Sequence, residues 1–402
     1  MSANASPPHA MTADVPYRDR KRFAWAVALL VPLFSGAGPV LWWFNPVSLM
    51  LWIPVVFVYG VVPILDGMLG QDTSNPPESA VPQLEADPYY RLITFALVPL
   101  LWAAFIGAAW FSQTAGLTAV GMFGLIVSTG LVGGFCINLG HEIGHKKTRV
   151  ERWLAKLILA PSFYGHFTIE HNRGHHRDVA TPSDPASSRM GETLWRFVGR
   201  EMPGALRRAW ALERERTRLD GQAFWSWHNE ILQTAAISAL LWAALCGWLG
   251  PQVLWFLLPV ALWTNFQLTL ANYIEHYGLL RQQAPKGRYE TCKPHHSWNS
   301  NHTFSNWATF HLQRHSDHHA HPMRRYQSLR HFEEAPQLPA GYSAMFVVAF
   351  IPPLWFAMMD KRLLAAVDHD PTRINFAPGK RKRLIAKHGL EEVLPPTSPV
   401  DA

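Results

Sequence analysis

The chain has 402 residues, 49% hydrophobic and only 16% charged, with eighteen tryptophans. A charge fraction this far below the roughly 25% of soluble domains excludes an ordinary water-soluble fold and points to a membrane protein. The net charge of +7 comes without a basic stripe interleaved with aromatics, which argues against nucleic acid and for anionic lipid or an acidic protein as partner.

In chain order, residues 1–22 form an N-terminal segment. Its first sixteen residues are mostly small and polar and read as disordered, and Tyr17 to Arg22 is a basic flank. From Phe23 to Leu65 there is no Asp, Glu, Lys or Arg. That run is too long for a signal-peptide core and long enough for two spans of about 20 residues each. Asn45-Pro46 marks the turn between them. Leu92 to Gly140 is a second uncharged run, turning at Ser112–Gly116, and Ile231 to Ile274 a third, broken at Gly250-Pro251.

Three runs of double length predict an all-α integral membrane protein with six transmembrane helices in three hairpins. The helices are expected near 23–44, 47–68, 91–111, 117–140, 231–250 and 251–275. No lipid-exposed loop could interrupt such runs, because its backbone polar groups would go unsatisfied. Residues 141–230 and 276–360 form a histidine-rich cap, so that 23–360 is one membrane-embedded domain, and 361–402 is a C-terminal tail. Within the cap, Trp153–Tyr164 is apolar but too short to span, and Ala205–Arg218 reads as a charged, solvated helix. Ser343–Met359, interrupted by Pro352-Pro353, fits an interfacial or re-entrant helix better than a seventh span. Arg18, Arg20, Lys21 and Arg22 precede the first span and Lys146, Lys147, Arg149 and Arg152 follow the fourth, whereas the hairpin turns carry no Lys or Arg. The positive-inside rule therefore puts both termini and the cap on the cytoplasmic side of the inner membrane.

Seventeen of the twenty histidines fall between His141 and His331. Nine of them form four clusters with ligand spacing: His141 and His145; His171, His175 and His176; His276; and His315, His318 and His319. Neutral imidazole is the commonest protein ligand of transition metals, and nine exceed what one ion can use, so two metals are expected. The absence of cysteine from the set argues against an iron–sulfur cluster. Division as four and five would leave each ion an open position if it prefers six ligands, which favours iron over structural zinc. His166, His302, His311 and His321 are read as near the site but outside it. A carboxylate stands beside every cluster: Glu142, Glu170, Glu275 and Asp317. These are expected not to bind the metals but to offset their charge and orient the rings by accepting free N–H protons.

The segments HEIGHKK, EHNRGHHRDVATPSDPASSRMGE, NYIEHYGLLR and LQRHSDHHAHPMRRYQSL resemble the histidine boxes of the membrane desaturase and hydroxylase superfamily, and specifically its alkane 1-monooxygenase family. The similarity runs from about Arg18 to beyond Pro353 with no departure at a ligand position. The resemblance implies a non-haem di-iron enzyme using O2 to hydroxylate the terminal methyl of n-alkanes to primary alcohols. It also implies electrons from rubredoxin, itself reduced by an NAD(P)H-dependent reductase. On that reading Phe57, Val58, Val61 and Leu65 could line an apolar substrate tunnel, and Arg324, Arg325 and Arg330 could steer an acidic donor. A related xylene-type aryl-methyl hydroxylase or a fatty-acyl desaturase is the alternative, which product analysis would separate. A metal transporter would need ionisable groups at the membrane midplane, and the uncharged runs offer none.

Overall fold

The computed structural model describes residues 17–284 and 287–391. The expectations for 1–16 and for the end of the tail from 392 lie outside the described residues. Among those described, every regular element is helical, and β-pairing is confined to isolated bridges such as Gln71 with His302.

Six helices are long and apolar enough to cross a membrane: α1 (Ala24–Phe44), α2 (Ser48–Leu69), α3 (Pro88–Thr114), α4 (Ala119–Gly144), and later Glu230–Leu249 and Pro251–Glu275. The protein is therefore a multi-pass membrane protein. The outward residues of these helices, among them Trp43, Leu49, Ile64, Leu240 and Trp255, are exposed and apolar, a surface suited to lipid and not to water. Their ends have local causes. The Asp87 side chain accepts from the Tyr89 N–H, and Pro88 occupies the first turn, so α3 starts three residues before the expected 91. Thr118 caps α4 in the same manner.

Between α4 and the fifth span the chain folds as the cap. α5 (Arg149–Leu159) is capped by Thr148 and buries Glu151, Ala155, Ile158 and Leu159 on one face. α6 (167–178) runs through a π turn at His171–His175. α7 (Leu194–Leu219) buries Leu194, Phe197, Glu201, Ala205 and Ala209, a helical stripe that leaves its other face to solvent. The last hairpin is α8 (Glu230–Leu249) and α9 (Pro251–Glu275). Gly250, at φ 85°, makes the turn that a side chain would strain, and Pro251 opens the next helix.

Two approaches fix the site. α4 meets α9 across glycines: a Cβ at Gly130 would stand 2.6 Å from Trp263 Cδ1, and one at Gly134 the same distance from Gln267 Cβ. Small residues of this kind let membrane helices pack backbone to backbone. His141 and His276, at the same ends of those two helices, are thereby held together. After α9 come two short cap helices, α10 (Thr303–Ala308) and α11 (His315–Ala320). The Ser305 N–H donates to Asp66 Oδ1 at 2.9 Å, which fastens α10 to the end of α2.

The stretch left open between span and surface helix resolves into two pieces. α12 (Tyr342–Ala349) and α13 (Pro352–Ala366) are separated at Phe350–Ile351, and neither is among the six long apolar helices. α14 (Arg381–His388) closes the described chain, burying Leu384 and Ile385.

Candidate metal centre

The nine histidines sort into two groups. Ring nitrogens of His141, His145, His171, His176 and His318 all lie within 4.8 Å of one another, as do those of His175, His276, His315 and His319. The partition follows from backbone geometry. In an α-helix His171 and His175 would share a face. The π turn adds a residue, with the His176 N–H donating to the His171 carbonyl, so His171 and His176 share the face and His175 turns to the other group.

An imidazole nitrogen carries either one proton or one lone pair, so one that faces two other nitrogens is not satisfied by hydrogen bonds among them. His176 Nε2 stands 3.1 Å from His171 Nε2 and 3.0 Å from His318 Nε2. His315 Nε2 stands 3.2 Å from His276 Nε2 and 2.9 Å from His319 Nε2. Nitrogens bonded at right angles to one ion at about 2.1 Å would be about 3.0 Å apart. The Nε2 atoms of His141, His145 and His175 are buried without any partner, which a bound cation would correct. Burial pushes His145, His171, His176, His276, His315, His318 and His319 well below the ordinary imidazole value, leaving them neutral with a lone pair to offer. His175 differs. Burial alone would lower it, but the Asp184 carboxylate 2.9 Å from Nδ1 raises it. A proton held on Nδ1 directs the free Nε2 inward.

The carboxylates are placed otherwise than their neighbours in sequence suggest. Glu142 pairs with buried Lys146 at 3.1 Å. Glu170 is bound by Arg208. Asp317 accepts from His321 Nδ1 at 2.8 Å, from Arg324 at 3.0 Å and from the Arg330 N–H at 2.9 Å. None of these three orients a ring of either group among the described contacts. Glu275 does reach one, but from the inner side: its Oε2 is 3.4 Å from His315 Nε2, the nitrogen that faces His276 and His319. The carboxylate that orients a ring from outside is Asp184, which the spacing gave no reason to single out. Its oxygens also accept from Ser187 Oγ at 2.7 Å and Arg208 Nη2 at 2.9 Å. Gly174 leaves room for that guanidinium, since a Cβ there would lie 2.7 Å from Arg208 Nε. His166, His302, His311 and His321 belong to neither group.

A cavity of about 350 Å³ runs from the spans to this centre. His141 and His171 from one group and His315 from the other form its inner end, together with Glu275. Of the four residues proposed for a substrate tunnel, Phe57, Val58 and Leu65 line this cavity and Val61 does not. A second π turn, Phe57–Val61, changes the phase of α2, so Val62, 6% exposed, faces inward and Val61, 37% exposed, faces out.

The arginines expected to meet a donor are engaged elsewhere. Arg324, Arg325 and Arg330 have side chains 11%, 16% and 18% exposed. Arg324 pairs with Asp317 and Glu78, Arg325 with Glu151 at 2.7 Å, and Arg330 with Glu78 at 3.2 Å. They tie parts of the cap to one another and to the connection between α2 and α3, and their guanidinium groups are paired and not free.

The fatty acid desaturase family model matches residues 115–349, which contain both histidine groups. Alkane 1-monooxygenase 1 of Alcanivorax borkumensis is 49% identical over 395 residues, 97% of each chain. The chain belongs to the alkane 1-monooxygenase family. Alkane 1-monooxygenase of Ectopseudomonas oleovorans is 48% identical over 93% of each chain. The hydroxylase component XylM of a Pseudomonas putida xylene/toluene monooxygenase is more distant, 30% identical over 62% of this chain and 64% of its own.

Proposed function

We propose that the chain is a di-iron alkane 1-monooxygenase that converts n-alkanes to primary alcohols, RH + O2 + 2 e⁻ + 2 H⁺ → ROH + H2O. The observation that carries this reading is an apolar cavity, set among membrane helices, whose inner end meets both histidine groups. His141, His145, His171, His176 and His318 would hold one iron, and His175, His276, His315 and His319 the other. Iron bound there supplies activation of O2 and removal of hydrogen from an unreactive methyl group. The protein supplies position. Val58, Phe57 and Leu65 hold the hydrocarbon in line with the centre, and the dry wall of α4 and α9 keeps bulk water from it. Asp184 fixes the proton on His175 Nδ1, and Glu275 is the one carboxylate at the ligand nitrogens. The high identity to alkane-named relatives over nearly the whole chain favours alkanes over aryl methyl groups. A reduced rubredoxin, renewed by an NAD(P)H-dependent reductase, is the proposed electron source. Both termini and the centre are proposed to face the cytoplasm from the inner membrane.

Purified protein loaded anaerobically should contain two irons per chain on the two histidine groups and yield 1-alcohol from alkane, O2 and reduced donor. One metal per chain, or zinc as the active metal, would refute the assignment. Val58 lines the cavity from α2. Enlarging it to Trp removes room from an apolar tunnel, so Val58→Trp should move the product profile toward shorter alkanes. Competition between alkanes of different length measures this, and an unchanged profile would put Val58 off the substrate's path.

A further inference from the structure

The cavity is not equally well walled. On the α4 and α9 sides its lining residues Leu131, Gln267 and Ala271 are buried, with further structure behind them. On the α1 side Leu30 lines the same cavity and is 45% exposed, on a membrane-spanning helix. Next to it, Phe34 of α1 and Phe57 of α2 close the seam between the two helices, their rings stacked at 4.1 Å and 22°. Phe304 of α10 meets Phe57 edge-on at 6.3 Å. All three rings line the cavity.

Among the described residues, no side-chain hydrogen bond or ion pair joins α1 to α2 at this seam. An aromatic pair contributes only about 0.5–1.5 kcal/mol beyond its buried area, and side-chain rotation is fast on the timescale of turnover. Phe57 also begins the π turn of α2, where the helical hydrogen-bond ladder is locally altered. A hydrocarbon dissolved among lipid tails would reach this seam without crossing water. We propose that the Phe34–Phe57 stack is a lateral door through which a linear hydrocarbon passes from the bilayer into the cavity. The proposal rests on the alkane-hydroxylating reading above.

The test is to tie the door shut. Phe34→Cys/Phe57→Cys is reconstituted in lipid vesicles and treated with dibromobimane, whose fluorescence rises when it bridges two thiols. Wild type, with its three native cysteines, is treated alike. The bridged protein should lose about tenfold in kcat/KM for dodecane, with a smaller fall in kcat, because slowed capture acts before the chemical step. Its iron content should equal that of the unbridged pair, which separates a closed door from a damaged centre. Phe34→Ala/Phe57→Ala should conversely raise kcat/KM for a branched alkane relative to dodecane. Unchanged kcat/KM on bridging, at full iron and with wild type turning over dodecane, overturns the door alone. Absence of any alkane turnover by iron-loaded wild type overturns the functional reading, and the door with it.

Discussion

Replacing Arg208 with Met is expected to cost the centre metal as well as stability. Arg208 Nε donates to Glu170 Oε1 at 2.8 Å, and Nη2 donates to Asp184 Oδ1 at 2.9 Å. Asp184 is fully buried and Glu170 nearly so. Asp184 in turn holds His175 Nδ1, so one guanidinium supports a ligand through a carboxylate. Methionine keeps most of the stem's volume but leaves two buried carboxylates without a counter-charge. Breaking a buried pair by removing one partner costs about 3–5 kcal/mol, and here the loss falls on both carboxylates. Metal per chain and the apparent melting temperature should therefore drop together in the same lipid preparation. Arg208→Lys should recover part of each, since it restores charge without the planar fork that reaches both partners. A methionine variant with full metal that melts with the wild type would show the network to be incidental.

That network also shows where the sequence stops being informative. The six spans were legible because lipid forbids charge over long runs, and no tertiary contact overrides that demand. The nine histidines were legible because so many imidazoles at helical spacing have no common structural use. Their division was not, since the π turn at His171–His175 carries no compositional mark and reverses which histidines share a face. The π turn at Phe57–Val61 hid Val62 for the same reason. Of the four carboxylates adjacent to the clusters in sequence, three meet other partners and only Glu275 approaches a ring of either group. Glu170 lies about 100° around the helix from His171, and it meets Arg208, 38 residues onward. Asp184 sits in an irregular loop where spacing predicts no direction. Arg324 read as a free surface cation, but it is paired both with Asp317, seven residues before it, and with Glu78, 246 residues away.

The other large effect should appear in the pH dependence of stability, and it centres on Glu201. This carboxyl on α7 is 1% exposed and faces α9, accepting from Thr269 Oγ1 at 2.7 Å and Asn272 Nδ2 at 3.2 Å. Burial pushes it up from the ordinary 4.5 to about 7, and the charges of Glu170 and Asp184 push the same way, while those two hydrogen bonds oppose the rise. A group whose folded value is raised stabilises the fold fully below its unfolded value and loses that contribution as pH rises through the folded one. Wild type should therefore lose stability between roughly pH 4.5 and 7, by about 3 kcal/mol from this group at 1.36 kcal/mol per unit. Glu201→Gln keeps the shape and an acceptor but cannot ionise. Its melting temperature should exceed that of the wild type at pH 7.5, with the gap narrowing toward pH 5. The comparison isolates Glu201, because every other titrating group is common to both proteins. Asn272 lines the cavity one helical turn before His276, so the same buried acid also holds a polar side chain of the cavity wall. Parallel melting curves across that range would mean that Glu201 stays charged in the folded protein, with Thr269 and Asn272 sufficient to hold it so.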